Sequence, residues 1–204
     1  MSPAAPLLIL ASASPRRASL LQAAGIPFEM RRSAVPEKLR RAERPAAAVR
    51  RLALAKAQSL RAVAPAAWIL GADTLVVLDG RAIGKPRSPG HARALLRRLS
   101  DREHQVLTAL ALLVPDRAAL QVTVRTRVRF RRLTPAQIVA YVATGEPLDK
   151  AGAYAVQARG AALVRRLIGS HSNVIGMPLE ALFDLLRRAG WDPLTSVHPP
   201  RRRE

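Results

Sequence analysis

The sequence predicts an α/β fold, a mixed twisted sheet flanked by helices, and three observations carry that prediction. The first is a strand-turn-helix near the start. The apolar run Leu7–Leu10 leads into a small-residue turn, Ala11-Ser12-Ala13-Ser14, and then into a helical pattern through Ala18 and Leu21, with Ile26 beyond Gly25. The second is the alternation of short apolar runs with helical stripes down the chain, as expected of strands covered by helices. The third is a pair of hairpin signals, Asp79-Gly80 and a longer one across Pro115-Asp116. These add antiparallel strands to what would otherwise be a parallel sheet.

Taken in order, Leu7–Leu10 reads as a buried strand. Ser14 suits a helix N-cap and Pro15 the first helical position, where its missing N–H is no loss, so Arg16 and Arg17 stand at the positive helix end. Phe28–Arg32 reads as a second strand and Ala34–Pro45 as a polar, irregular loop holding Glu37 and Glu43. Ala46–Val63 is a helix with an apolar stripe at Val49, Leu52, Ala53 and Leu60, and Lys56 falls inside that stripe. A lysine there either snorkels to the rim or points into a polar cleft. Trp68–Thr74 is a buried strand ending at Asp73, and Leu75–Val77 with Ala82-Ile83 flank the Asp79-Gly80 turn. Gly84-Lys85-Pro86 exits into a helix started by Ser88 and Pro89 and running to Leu99.

Val106–Val114 and Leu120–Phe130 form the longer hairpin. In its second strand Val122, Val124, Thr126, Val128 and Phe130 alternate with Thr123, Arg125, Arg127 and Arg129, giving one buried face and one basic, solvated face. Thr134-Pro135 starts a helix to Ala143. Gly145–Gly160 is rich in breakers, with a strand-like run from Tyr154 to Gln157. Ala161–Ile168 reads as a strand, Gly169–Asn173 as a loop and Pro178–Ala189 as the last helix, ended by Gly190. Residues 1–195 are expected to form one domain, followed by a basic, proline-rich and disordered tail over 196–204.

A chain of 204 residues is long enough for one domain with a real core. Aromatic residues make up only 3%, so that core must be aliphatic. The absence of cysteine excludes a disulfide framework, a thiolate metal site and a thiol nucleophile. The 34 Lys and Arg against 14 Asp and Glu give a net charge of +20, which attracts anionic substrates. The scarcity of aromatic stacking platforms argues against a dedicated nucleic-acid site. No apolar run approaches the roughly 18 residues of a transmembrane helix, so no membrane partner is expected. No positive charge precedes LLILASA, unlike a secretory signal. The Arg-rich, acid-poor first forty residues leave a transit peptide open on composition, whereas the strand-turn-helix argues against maturation there.

Free N–H groups, the positive helix end and two guanidinium forks at Arg16 and Arg17 favour a bound phosphate, although an ordinary capped helix would look the same. Acidic residues are scarce, so Asp73 at a strand end is informative: it either caps a turn, or holds a divalent cation, acts as base toward water, or does both. Glu37, in a loop, is either a second carboxylate of the site or simply a solvated glutamate. Lys85 either meets a phosphate or is solvated in its turn. The amide of Gln157 either reads a base edge or makes a core hydrogen bond. The four histidines show no metal-ligand spacing, and His104 reads as structural, capping a strand end. Ser12 and Ser14 lack the His and Asp partners of a triad and suit phosphate contact or capping. Cations with carboxylates and no Cys or His nucleophile suit metal-assisted attack of water on a phosphoryl group.

SASPRR at 12–17, Lys56-Ala57, Gly71-Ala72-Asp73-Thr74, Gly84-Lys85-Pro86, His104-Gln105-Val106-Leu107-Thr108, GEPLDKAGAYAVQ at 145–157 and NVIGMPL at 173–179 resemble the Maf family of nucleotide pyrophosphatases, over Leu8 to about Asp192. The resemblance implies a sheet with a deep cleft, akin to inosine triphosphate pyrophosphatases. It also implies hydrolysis of nucleoside triphosphates between the α and β phosphates with a divalent cation, Mg or Mn, in a cytoplasmic and often homodimeric protein. Asp73 then corresponds to the proton acceptor. Arg16, Thr74 and Gln157, at the positions that sort the subfamilies, are similar to the dTTP/UTP branch. On this reading Arg16, Arg17, Lys56 and Lys85 hold the triphosphate, Ser12 and Ser14 contact its oxygens, and Glu37 and Asp73 hold the cation. One departure stands out: many members carry an Asp-Glu pair where this chain reads Val35-Pro36-Glu37. Two alternatives stand beside this reading, a basic non-enzymatic partner of nucleic acid or of cell division, and a pyrophosphatase that clears modified nucleotides.

Overall fold

The computed structural model of the chain describes residues 5–195. The tail expected over 196–204 lies outside the described residues. Seven strands form one sheet in the order β2-β1-β3-β5-β6-β7, with β4 added to β3. They are β1 (Leu8–Ala11), β2 (Glu29–Arg31), β3 (Trp68–Leu78), β4 (Arg81–Ile83), β5 (Glu103–Leu113), β6 (Leu120–Phe130) and β7 (Val164–Ile168). β1 pairs parallel with β2 and β3, while β3, β5, β6 and β7 form an antiparallel run, so the sheet is mixed, as the sequence predicts.

Six helices accompany the sheet among the described residues: α1 (Pro15–Ala23), α2 (Pro45–Gln58), α3 (Pro89–Leu99), α4 (Pro135–Ala143), α5 (His171–Ile175) and α6 (Leu179–Ala189). Four begin with a proline, which supplies the fixed φ of a first turn where its missing N–H has no partner to lose. Ser88 caps α3 by accepting from the His91 N–H, and Thr134 with Gln137 closes a capping box on α4. None of these helices is long and apolar enough to cross a membrane.

One face of the sheet is covered by α2, whose Val49 and Ala53 pack on Val77, Leu107, Ala109 and Ala111. The other face holds two apolar clusters. One joins Leu10, Leu70 and Leu110 to α1 and α6, and the other joins Val76, Val106 and Phe130 to α3 and α4. The alternation read in β6 holds only in its second half: Thr126, Val128 and Phe130 are buried while Arg125 and Arg127 are exposed, whereas Val122, Thr123 and Val124 are all half-buried.

Four expectations are corrected. β3 does not end at Asp73 but runs on to Leu78, because β5 pairs with it continuously from Ile69 to Val77. Tyr154–Gln157 is not strand-like. It is a bend between 3-10 turns at Ala151–Ala153 and Ala158–Leu163, the second of which also takes the first residues of the expected last strand. Gly169–Asn173 is not all loop, since Ser170 accepts from the Asn173 N–H and starts α5. His104 does not cap a strand end; it is buried in β5 against Phe130 and Tyr154.

The sheet also explains where a site can open. Along one edge of β3, pairing with β1 stops at Leu70 and pairing with β4 starts at Val76. The segment between them, 71–75, faces a gap in the sheet, and Asp73 lies at its centre.

Candidate active site

A cavity of about 690 Å³ opens at that gap. Ser12, Ser14, Arg16, Arg17, Glu37, Lys56, Asp73, Thr74, Lys85 and Gln157 all line it, so the structure brings together every site residue that the sequence singled out. Several elements deliver them: the β1–α1 turn, the 32–44 loop, α2, the middle of β3, the exit from β4 and the 145–157 segment.

Asp73 is 4% exposed and Lys56 is 5% exposed. Gly71 explains how α2 comes close enough for them to meet. A Cβ on Gly71 would lie 2.1 Å from the Ala53 carbonyl oxygen, so only glycine allows this helix-to-strand distance. Asp73 lies two residues on, on the same face of the strand. Lys56 Nζ donates to Asp73 Oδ1 at 2.7 Å and to Glu37 Oε1 at 2.5 Å. The sequence left open whether Lys56 reaches the rim or a polar cleft; it points into the cleft.

Although they share one ammonium, the two carboxylates are shifted in opposite directions. Burial pushes the Asp73 carboxyl above the usual range, against the opposing charges of Lys56 and Arg17. Burial acts the same way on Glu37, but the Lys56 hydrogen bond and charge, with Lys85 and Arg17, outweigh it and hold Glu37 below the usual range. Lys85 Nζ lies 3.7 Å from Glu37 Oε2.

On the opposite face, Arg17 is 8% exposed. It donates to the Gly176 carbonyl at 2.9 Å, Thr74 Oγ1 at 3.1 Å and Ser12 Oγ at 3.3 Å. All three acceptors are neutral. Among the described residues, Arg17 is the buried cation of the cavity with no ion pair. Burial lowers its pKa, and the fields of Asp73 and Glu37 oppose that shift. A buried guanidinium without a carboxylate is a place for an anion. Ser12 Oγ also accepts from the Ser14 N–H at 3.1 Å. Ser14 occupies the N-cap position of α1 but makes no side-chain capping bond.

Arg16 is differently placed. It pairs with Asp149 at 3.3 Å, which links α1 to the 145–157 segment. Asp149 also accepts from Lys150 at 2.5 Å. Both Asp149 and Lys150 line the cavity and were missed in the sequence reading. Their signal was the adjacent pair of opposite charges within a breaker-rich stretch. Gln157 is exposed on the cavity wall.

For a divalent cation, the donor set is Asp73 and Glu37. No group of three or more His, Asp or Glu that could hold a metal occurs among the described residues. Magnesium is commonly held by one or two carboxylates and completed by water and substrate phosphates. Two carboxylates fit that pattern, with water and an anionic ligand left to supply the remaining oxygens.

The family described as Maf-like protein matches residues 7–189 of the chain. A protein of Moorella thermoacetica named dTTP/UTP pyrophosphatase is 52% identical over 186 residues, covering 91% of this chain and 96% of that protein. A protein of the same name from Gloeobacter violaceus is 50% identical over 179 residues, covering 88% and 94%. Among solved structures, the Ham1 protein of Staphylococcus aureus superposes with a TM-score of 0.51 at 13% identity, covering 89% of this chain and 98% of that one, which is a likeness of fold.

Proposed function

From the premise that this chain belongs to the Maf family, we propose that it is a nucleoside triphosphate pyrophosphatase that hydrolyses dTTP and UTP to the monophosphate and pyrophosphate. The observation that carries this reading is one cavity lined both by the buried Asp73 and the exposed Glu37, bridged by Lys56, and by the buried, unpaired Arg17.

Arg17 meets the triphosphate from a fixed seat, beside the N–H groups of the first turn of α1. Arg16 exchanges Asp149 for a phosphate oxygen, and Lys85 adds positive charge from the exit of β4. Ser12 and Ser14 give hydroxyl contacts at the helix start. Asp73, with its raised pKa, takes the proton of the attacking water, while Glu37 stays ionised. Environments that push two carboxyl groups apart in this way mark which one moves the proton. A divalent cation held by Asp73 and Glu37 would neutralise charge on the phosphate oxygens. Lys56 keeps both carboxylates in place.

Thr74 and Gln157 face the nucleoside. Glutamine offers both a donor and an acceptor, matching the mixed edge of uracil or thymine. Gln157→Glu is expected to weaken turnover of both dTTP and UTP, and unchanged rates would refute that assignment. The cellular nucleotide pool places the protein in the cytoplasm on this reading.

The test is release of pyrophosphate from a panel of canonical and modified triphosphates with magnesium or manganese. dTTP and UTP should lead. Turnover confined to purine or modified nucleotides, or none at all, would sink the reading.

A further inference from the structure

We propose that Thr108 is a positioning residue that fixes the orientation of Thr74 and, through it, the seat of Arg17; this rests on the reading of the cavity as a triphosphate site. Thr108 lies on β5 directly across from Thr74 on β3 and is fully buried. Its hydroxyl donates to the Asn173 carbonyl at 2.9 Å. A hydroxyl carries one hydrogen, so with that hydrogen used Thr108 Oγ1 can only accept in its 3.0 Å contact with Thr74 Oγ1. Thr74 is therefore the donor there, and it must accept from Arg17 Nη2 at 3.1 Å. Every bond has one direction: Arg17 to Thr74, Thr74 to Thr108, Thr108 to Asn173.

The relay ends on a fixed support. Asn173 is fully buried, and its Nδ2 donates to the Val106 carbonyl at 3.1 Å and to Thr126 Oγ1 at 2.9 Å, which ties α5 to β5 and β6. Gly176, which caps α5 at φ 118°, accepts the second bond from Arg17. A Cβ there would lie 3.2 Å from Thr74 Oγ1 and 3.5 Å from Arg17 Nε, so a side chain would crowd the seat itself.

Two consequences follow for the reaction. Arg17 is held by neutral acceptors only, which leaves its charge for phosphate. Thr74 has no hydrogen left to offer a nucleotide and can act toward it only as an acceptor. Removing the Thr108 hydroxyl frees the Thr74 hydrogen to turn toward Arg17 or into the cavity, and the seat loses its fixed geometry.

The test uses the full chain and two measurements: the dissociation constant of inorganic pyrophosphate by calorimetry, and KM and kcat for UTP. Thr108→Val and Thr108→Ala should weaken pyrophosphate about fivefold, the equivalent of one ordinary hydrogen bond. KM for UTP should rise by a similar factor while kcat changes less than about twofold, because the contact is made in both ground and transition states. Thr108→Ser should restore both constants. Leu185→Ala, a core truncation on α6, controls for lost stability and should leave pyrophosphate binding unchanged. Normal pyrophosphate binding by Thr108→Val or Thr108→Ala, failure of Thr108→Ser to rescue, or equal weakening by Leu185→Ala would each overturn the proposal. If Thr108→Val does not fold, the alanine and serine variants decide. Absence of UTP turnover in the unaltered chain would instead refute the proposed reaction, and the pyrophosphate titration would still read the relay.

Discussion

On the proposed mechanism the chemistry depends on Asp73, a carboxylate that is only 4% exposed. Asp73→Asn removes the proposed proton acceptor but keeps the shape, so UTP turnover should fall about 10²- to 10⁴-fold, with far-ultraviolet dichroism unchanged. Near-normal turnover would exclude Asp73 as the base. His104 makes a different prediction. Burial lowers its pKa from 6.5 to about 4, so the folded chain binds fewer protons there than the unfolded chain between those values. Stability from this residue is fully present above pH 6.5 and is lost as pH falls toward 4. The contribution is at most about 3 kcal/mol. Denaturant midpoints at pH 7 and pH 4.5 should converge in His104→Gln relative to the unaltered chain, and an equal drop in both would remove His104 as the cause. Residue chemistry was largely legible in the sequence, because a lone aspartate in an apolar run and a lysine inside an apolar stripe stand out by type. Thr108, Asp149 and Lys150 were not singled out, because threonines are ordinary in strands and charges ordinary in loops; Thr108 meets Thr74 and Asn173, 34 and 65 residues away, and Asp149 meets Arg16, 133 residues away.

Among elements, the contact of α2 with β3 decides whether Lys56 reaches Asp73. Gly71→Ala places a methyl group against the Ala53 carbonyl and the Ala57 N–H, 2.1 and 2.8 Å away, and neither backbone group can yield without moving the helix. Overpacking of this kind costs about 1–3 kcal/mol. The denaturation midpoint should drop, and kcat/KM for UTP should fall as well, since Lys56 moves with α2. Loss of stability with full activity would show that the Lys56–Asp73 distance is not set there. The short turns were readable: Leu78 pairs with Arg81 across Asp79-Gly80, and both turn residues have positive φ, at 51° and 73°. The end of β3 was not readable, because whether a strand stops depends on its neighbour. Gly71 and Asp73 look like breakers, but β5 pairs along the whole segment and carries β3 through them.

For the whole molecule, the arrangement predicts that metal removal stops the reaction without unfolding the protein. Lys56 already bonds both carboxylates, so no bare pair of like charges is left when a cation departs. A chelator should abolish pyrophosphate release and leave the melting temperature within about 2 °C, a shift worth less than about 1 kcal/mol for a chain of this size. Unfolding on chelation would show a structural metal instead. The sequence by itself determined the α/β class, the hairpins, the aliphatic core and the set of polar residues available for chemistry, because periodicity, turn residues and composition act over a few neighbouring positions. Only the tertiary structure decided that β1 stops short of Asp73 while β3 continues, that α5 supports Arg17, and that Asp149 reaches Arg16. Those outcomes depend on which segments share the sheet and where each pairing ends, and long-range packing sets both.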